Sequence, residues 1–264
     1  MVLIFDLDGV VYLGDTPIPG ALEALRELDS AGHSLFFLTN NSTRSRDDYA
    51  EKISRMGYPT RAEQVVTSAY ATALYLSGQG AAGKRAYVIG ESGLRRELSE
   101  IGMEVLAADD ETPAHYVVAG LDRSLTYDKL RRAHEQIQVH GACFVATNRD
   151  ATFPQETGEI PGGGAMVAPL EVSTGVPAIT IGKPESGMWA RVLELTGSAP
   201  QNALMVGDRS ETDILGAKRL GLRTALVLSG VTRAEEVEQI PAEQRADWVL
   251  SGVRDLPALV AGLG

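Results

Sequence analysis

The sequence predicts an α/β protein: a Rossmann-like, doubly wound parallel sheet core with a second α/β unit inserted as a cap domain. Three observations predict it. Short apolar, β-rich runs alternate with helix-length amphipathic segments, the pattern of a parallel sheet covered on both faces. Four of those runs end in polar clusters: Asp6/Asp8, Thr39/Asn40, Lys183 and Asp208/Asp213. Between the second and third clusters the alternation restarts after Gly78-Gln79-Gly80-Ala81-Ala82-Gly83. The expected division is therefore a core of residues 1–79 and 181–264 and an inserted unit of residues 80–180.

The elements follow in order. Val2 to Phe5 is an apolar run typical of a strand buried on both faces. Pro17 and Pro19-Gly20 punctuate, and Ala21 to Ala31 reads as an amphipathic helix stopped at Gly32. Ser34 to Leu38 is a second strand, running into Thr39-Asn40-Asn41-Ser42, where Ser42 is the expected N-cap of a helix from Thr43 to Met56. A helix over Ser68 to Ser77 leads to the Gly78–Gly83 stretch. That stretch spells G-x-G-x-x-G, but it follows a helix and precedes a strand, the reverse of a dinucleotide site, so it reads as a flexible hinge.

The second unit begins with strand Ala86–Ile89, helix Gly93–Ile101, and strands Met103–Leu106 and His115–Ala119. Helix Tyr127–Val139 and strand Cys143–Ala146 follow. Thr147-Asn148-Arg149-Asp150 then opens a loop through Pro161-Gly162-Gly163-Gly164 to helix Ala165–Val172. The glycine run reads equally as an anion or backbone contact and as a plain connection. The core resumes with strand Ala178–Ile181, helix Ser186–Leu195, strand Ala203–Val206, a short helix to Leu220 and strand Thr224–Leu228. Thr232 and Glu235 suggest a capping box for helix Ala234–Gln239, before a Trp248 strand and a last helix.

Composition excludes several classes. The net charge of −11 argues against a phosphate-backbone binder, so no nucleic-acid partner is expected. With a single cysteine, Cys143, no internal disulfide forms. The candidate site begins at residue 6, leaving no room for a leader, and no apolar run has membrane-spanning length; the expected compartment is the cytoplasm, with no membrane partner.

Asp6 and Asp8 carry the chemistry. Residues two apart in an extended chain point to the same side, and two carboxylates sharing one volume call for a cation or a proton between them. In a parallel sheet the four polar strand ends lie along one edge, where open α/β sheets bind ligands. Three carboxylates and a lysine there suit Mg²⁺ and a phosphoryl group, since a hard cation takes oxygen ligands.

With Asp6-Leu7-Asp8-Gly9, Thr39-Asn40, Lys183 and Gly207-Asp208…Asp213 in order, the chain resembles the haloacid dehalogenase superfamily of phosphohydrolases over its whole length. The insert between Thr39 and Lys183, with Asp6 to Tyr12, Leu38 to Ser42 and Ala146 to Asp150, is similar to the branch of NagD, 4-nitrophenylphosphatases and phosphoglycolate phosphatases. Pyridoxal-phosphate members of that branch carry a histidine where this chain has Phe153, which argues against that substrate.

The resemblance implies a Mg²⁺-dependent phosphomonoesterase acting on small phosphorylated metabolites, such as glycerol phosphate, phosphoglycolate or a sugar phosphate. Asp6 would be the nucleophile, forming an aspartyl-phosphate, and Asp8 the general acid and base. Asp6, the Asp8 carbonyl and Asp208 would hold Mg²⁺; Thr39, Asn40, Asn41 and Lys183 the phosphate; Asp213 would orient metal waters or Lys183. In the loop from Asn148 to Gly164, Arg149, Asp150 and Phe153 are the expected substrate contacts. The competing expectations are a receiver-like phosphoacceptor and a non-catalytic metabolite sensor; a homodimer is left open.

Overall fold

A computed structural model describes residues 1–155 and 158–263. The central strand is Val2–Asp6, every residue of which is buried. It lies in a six-stranded, wholly parallel sheet in the order Trp248–Leu250, Arg223–Val227, Ala203–Gly207, Val2–Asp6, Ser34–Thr39, Val65–Thr67. The chain moves outward on one side of the central strand and later returns to its other side. The crevice at that reversal is where a doubly wound sheet receives a ligand. Register makes the strand ends meet: Asp6 pairs with Leu38, and Phe5 with Val206, so Asp6, Thr39 and Asp208 end within a residue or two of one another.

A second parallel sheet has the order Ile179–Thr180, Cys143–Ala146, Tyr116–Ala119, Arg85–Ile89, Glu104–Val105. Its carboxyl edge also carries polar residues, Thr147 to Asp150. Two short hairpins complete the sheets: Tyr12–Leu13 with Thr16–Pro17, and Thr152–Gln155 with Gly158–Pro161. The second hairpin lies in the stretch expected as a loop; residues 156 and 157 of that stretch lie outside the described residues. Its alternation is too short and too Pro- and Gly-rich to read as strands, and pairing supplies what propensity does not.

Helix Ser68–Gly78 joins the two units. It has no polar face, because Ala69, Ala73 and Leu76 are all fully buried between helix Ser92–Glu100 of the insert and helix Gly187–Thr196 of the core. One apolar cluster therefore runs from Ile4 and Met205 to Val88, Val118 and Val145. The Gly78–Gly83 stretch, expected as a flexible hinge, is a hydrogen-bonded turn in which buried Ala81 donates its N–H to Leu76.

Three further local expectations are corrected. The first helix after Thr39 begins at Arg46, not Thr43, and Ser45 caps it in a reciprocal box with Asp48. Ser42 instead accepts a hydrogen bond from the Thr147 hydroxyl of the insert at 3.3 Å. Segment Ala234–Gln239 is a 3₁₀ helix, and it is Glu236, reaching the Arg233 N–H at 2.8 Å, that closes its start; Thr232 turns to the Asp208 carbonyl. Among the described residues no helix is long and apolar enough to cross a membrane.

Candidate active site

Three strand ends and one loop build the site. The lysine arrives from the segment after strand Ile179–Thr180, and its buried ammonium donates to Asp6 Oδ1 at 2.7 Å and Asp213 Oδ1 at 2.6 Å. Burial by itself opposes the Lys183 charge, yet Asp213 and Asp6 override it and hold its pKa above the usual lysine range. Asp213 is carried to this point by a π turn over Ser210–Ile214, a distortion that re-aims a helix's first side chains. Its second oxygen accepts the Arg209 N–H at 3.1 Å.

Asp6, Asp208 and Asp213 each place a carboxylate oxygen within 4.8 Å of the others, all three buried. Asp208 Oδ2 accepts the Val231 N–H at 2.7 Å, while Oδ1 is buried with no hydrogen-bond partner among the described residues. Burial, with Asp213 nearby, pushes Asp208 up to about 7. Burial also lifts Asp6 well above the usual carboxylate range, against the pull of Lys183. A buried, partnerless carboxylate oxygen facing two more carboxylates is a donor set for a hard divalent cation, so the residues present fit Mg²⁺. Gly9 (φ +82°) makes room for this arrangement: a side chain there would meet Asp208 Oδ2 at 2.5 Å.

Asp8 sits two residues on and shares with Asp6 a cavity also lined by Thr39, Asn40, Asn41, Asp150, Phe153, Lys183 and Arg209. Burial raises its pKa to about 6, with Lys52 the largest opposing influence. The cavity is small, about 30 Å³, room for little more than a phosphoryl group.

Asn40 has a role its motif does not announce. Its side-chain oxygen accepts the Lys183 N–H at 2.7 Å, and its amide donates to the Lys183 carbonyl and to Asp150 Oδ1, both at 3.0 Å. Both amide hydrogens are used, so only the Asn40 backbone N–H, unpartnered among the described residues, is free for an anion. Thr39 Oγ1 accepts the Asn41 N–H, and Asn41 Oδ1 accepts from Thr43 in an Asx turn.

The three residues expected from the insert part company. Phe153 reaches the cavity, and Asp150 is brought to it as the partner of Asn40. Arg149 is not: its guanidinium is bound to Glu171 and, through Nε at 2.7 Å, to Thr180, within the insert itself. Alternation separates Arg149 from Asp150, because neighbours in an extended segment point to opposite sides; Phe153 is carried by the hairpin strand that follows.

Four cations near the site went unnoticed in the sequence. Arg209 lines the phosphoryl cavity and lies 3.9 Å from Glu159 of the second hairpin. Arg44, Lys52 and Arg123 line an adjoining pocket of 350 Å³, with Tyr12, Tyr49, Phe153 and Pro154. Arg209 directly follows a motif aspartate, which is a usable signal; the other three are scattered and carry none.

The site meets known proteins at this point. Residues 3–104 match the model of the haloacid dehalogenase-like hydrolases, and residues 180–256 a second, HAD-hydrolase-like model. An acid sugar phosphatase of Staphylococcus aureus is 40% identical over 235 residues, 89% of each chain. Solved structures agree in fold. A glycerol phosphate phosphatase from Mycobacterium tuberculosis in complex with magnesium matches with TM-score 0.88 and 35% identity, over 97% of this chain and 75% of that one. A p-nitrophenyl phosphatase from Archaeoglobus fulgidus matches with TM-score 0.89 and 31% identity, over 98% of both. The chain belongs to the haloacid dehalogenase-like hydrolases, and the relatives named here are phosphatases.

Proposed function

We propose that this hydrolase is a Mg²⁺-dependent phosphomonoesterase of small phosphorylated metabolites, working through an aspartyl-phosphate, with residues 80–180 as the cap that selects the alcohol. One observation carries the reading: a buried lysine bridges Asp6 and Asp213, Asp208 completes a cluster of three buried carboxylates with them, and Asp6, Asp8 and Lys183 line one phosphoryl-sized cavity. The named relatives, phosphatases of sugar phosphate, glycerol phosphate and p-nitrophenyl phosphate, support it.

In the first half-reaction an Asp6 oxygen attacks phosphorus and the phosphorus–alcohol bond breaks. Asp6 Oδ1 is held by Lys183, which leaves Oδ2, free of hydrogen bonds among the described residues, as the nucleophile. Asp8 gives its proton to the departing oxygen. An ordinary aspartate, with a pKa of about 3.9, is almost wholly ionised near neutrality, whereas at about 6 Asp8 keeps a useful protonated fraction. In the second half-reaction Asp8 takes a proton from water, the water oxygen bonds to phosphorus, and the Asp6–phosphorus bond breaks to release phosphate. Lys183, Thr39, Asn41 and the Asn40 N–H hold the non-bridging oxygens.

Asp6, Asp208 and the Asp8 carbonyl would hold Mg²⁺, with Asp213 beside them. When bound, the ion supplies positive charge that lets nucleophile and phosphate approach. Lys183 shares that task from the other side of Asp6.

Steady-state hydrolysis of 4-nitrophenyl phosphate with Mg²⁺ tests the function. Sustained turnover that EDTA abolishes is expected. A single phosphorylation of Asp6 without turnover would instead favour the phosphoacceptor alternative.

A further inference from the structure

The 350 Å³ pocket shares Asp8, Asn41, Phe153 and Pro154 with the phosphoryl cavity, so the two are one continuous space at the scale of a small molecule. Resting on the phosphatase reading, we propose that this pocket selects alcohols bearing a second anionic group, a carboxylate or a second phosphate, with Arg44 as its principal partner and Lys52 in support.

The charges point this way. The chain as a whole carries −11, yet the pocket is lined by three cations. Arg123 is already committed, with two hydrogen bonds to Glu91 at 2.7 and 2.6 Å. Arg44 is not: its guanidinium makes no hydrogen bond and no ion pair among the described residues, although its planar fork is built for carboxylate and phosphate oxygens.

The Arg44 side chain is solvent-exposed, but its backbone position is fixed. Its backbone is locked in the seam between core and insert, where the neighbouring Thr43 carbonyl accepts the Gly93 N–H at 3.1 Å. A Cβ on Gly93 would meet the Arg44 carbonyl carbon at 2.2 Å. The cation is thus placed by the contact that joins the two units.

Lys52 stands beside it, with its Nζ 2.7 Å from the Gly14 carbonyl and 3.8 Å from the Tyr12 ring centre. Its acidic neighbour, Asp15, is 3.4 Å away but its side chain is 86% exposed, so solvent screens the pair and leaves much of the charge to the pocket. The other acid, Asp8, must carry a proton when the alcohol leaves. The Tyr12 and Tyr49 hydroxyls also belong to the pocket wall, buried and without hydrogen-bond partners among the described residues. A neutral polyol would use such donors too, but would leave the Arg44 charge to solvent alone.

The test compares matched pairs of phosphomonoesters on the full chain with Mg²⁺. The pairs are 2-hydroxyethyl phosphate against phosphoglycolate, glycerol 3-phosphate against 3-phosphoglycerate, and propanediol monophosphate against its bisphosphate. The first two report a carboxylate and the third a second phosphate. At least one pair should favour the anionic member in kcat/KM by roughly ten- to a hundredfold, mainly through KM. Arg44→Met should collapse that ratio towards one, and Arg44→Lys should restore part of it. Because both members are measured on one preparation, loss of folded protein cancels in the ratio. Preference for the neutral member in every pair, or a ratio that Arg44→Met leaves untouched, overturns the proposal while the phosphatase reading stands. Absence of turnover on all of these substrates and on 4-nitrophenyl phosphate would remove both.

Discussion

The phosphoryl cavity and the pocket beside it are built on opposite rules. In the first, nearly every polar atom is committed: Lys183 to Asp6 and Asp213, Asn40 to Lys183 and Asp150, Asp208 Oδ2 to Val231. The groups left without partners among the described residues, Asp208 Oδ1, Asp6 Oδ2 and the Asn40 N–H, are those that the proposed cation and phosphoryl group would use. In the second, a guanidinium and two phenol hydroxyls have no partner among the described residues, and the volume is about tenfold larger, 350 against 30 Å³. A satisfied network is rigid and answers one ligand, because moving any member strands a buried charge. A roomier pocket with uncommitted groups keeps its hydrogen-bonding capacity for the alcohol, in line with the selection proposed above. On the proposed reading, chemistry is thereby separated from choice between two adjoining cavities.

The sharpest way to break the comparison is at Asp6, the proposed nucleophile. Asp6→Asn keeps the shape but removes the attacking charge, and kcat should fall by about 10⁴-fold or more on every substrate alike. A selective loss would mean the two cavities are not independent.

Lys183→Met should come next in size. It removes the central cation of a buried triad and leaves Asp6 and Asp213 facing each other, a change that typically costs about 3–5 kcal/mol of stability. The melting temperature should drop more at pH 8 than at pH 5, since protonation relieves the stranded carboxylates. An equal drop at both would place the energy elsewhere.

Gly93→Ala probes the seam that holds the pocket's wall. The added methyl collides with backbone, not with a pliable side chain, so the insert must shift away from Arg44. Misplacement by about 1 Å is worth roughly a hundredfold in rate, and the loss should be greater for alkyl phosphates that use the pocket than for 4-nitrophenyl phosphate, whose leaving group needs little help. Uniform losses would show that the seam positions the phosphoryl cavity as well.

The smallest expected effect is one of linkage. In metal-free protein Asp208 has a folded pKa of about 7 and Asp8 of about 6, both above the usual 3.8. The folded state therefore binds more protons than the unfolded state between about pH 4 and 7, and stability should fall as pH rises through that window. Mg²⁺ competes with those protons, so its stabilising effect should grow from pH 5 to pH 8 in thermal melts. A flat Mg²⁺ effect would deny Asp208 its place as ligand.

What was legible in the sequence follows from locality. Parallel strands need apolar runs, and strand ends in such a sheet share an edge, so Asp6, Asp8, Thr39, Asp208 and Asp213 read as one cluster; Lys183 was expected on the same edge, but it follows Ile179–Thr180 of the second sheet and reaches Asp6 through the packing of the two sheets. Most helix and strand positions were legible for the same reason, but the edge strand Val65–Thr67 and the first hairpin were not. The second hairpin was not, because Thr152–Gln155 is held by pairing and not by its own propensity.

The sequence by itself determined most of the parallel strands, which segment ends carry acids and a lysine, and that an α/β unit interrupts the core after the second motif. Only the tertiary structure decided what the remaining polar residues do. It tied up the Asn40 amide between Lys183 and Asp150, turned Arg149 towards Glu171 and Thr180, moved the cap of the second helix from Ser42 to Ser45, and gathered Arg44, Lys52 and Arg123 around one pocket. Periodicity and strand-end position are properties of neighbours along the chain, whereas a hydrogen-bond partner 110 or 143 residues away is chosen by how two sheets pack.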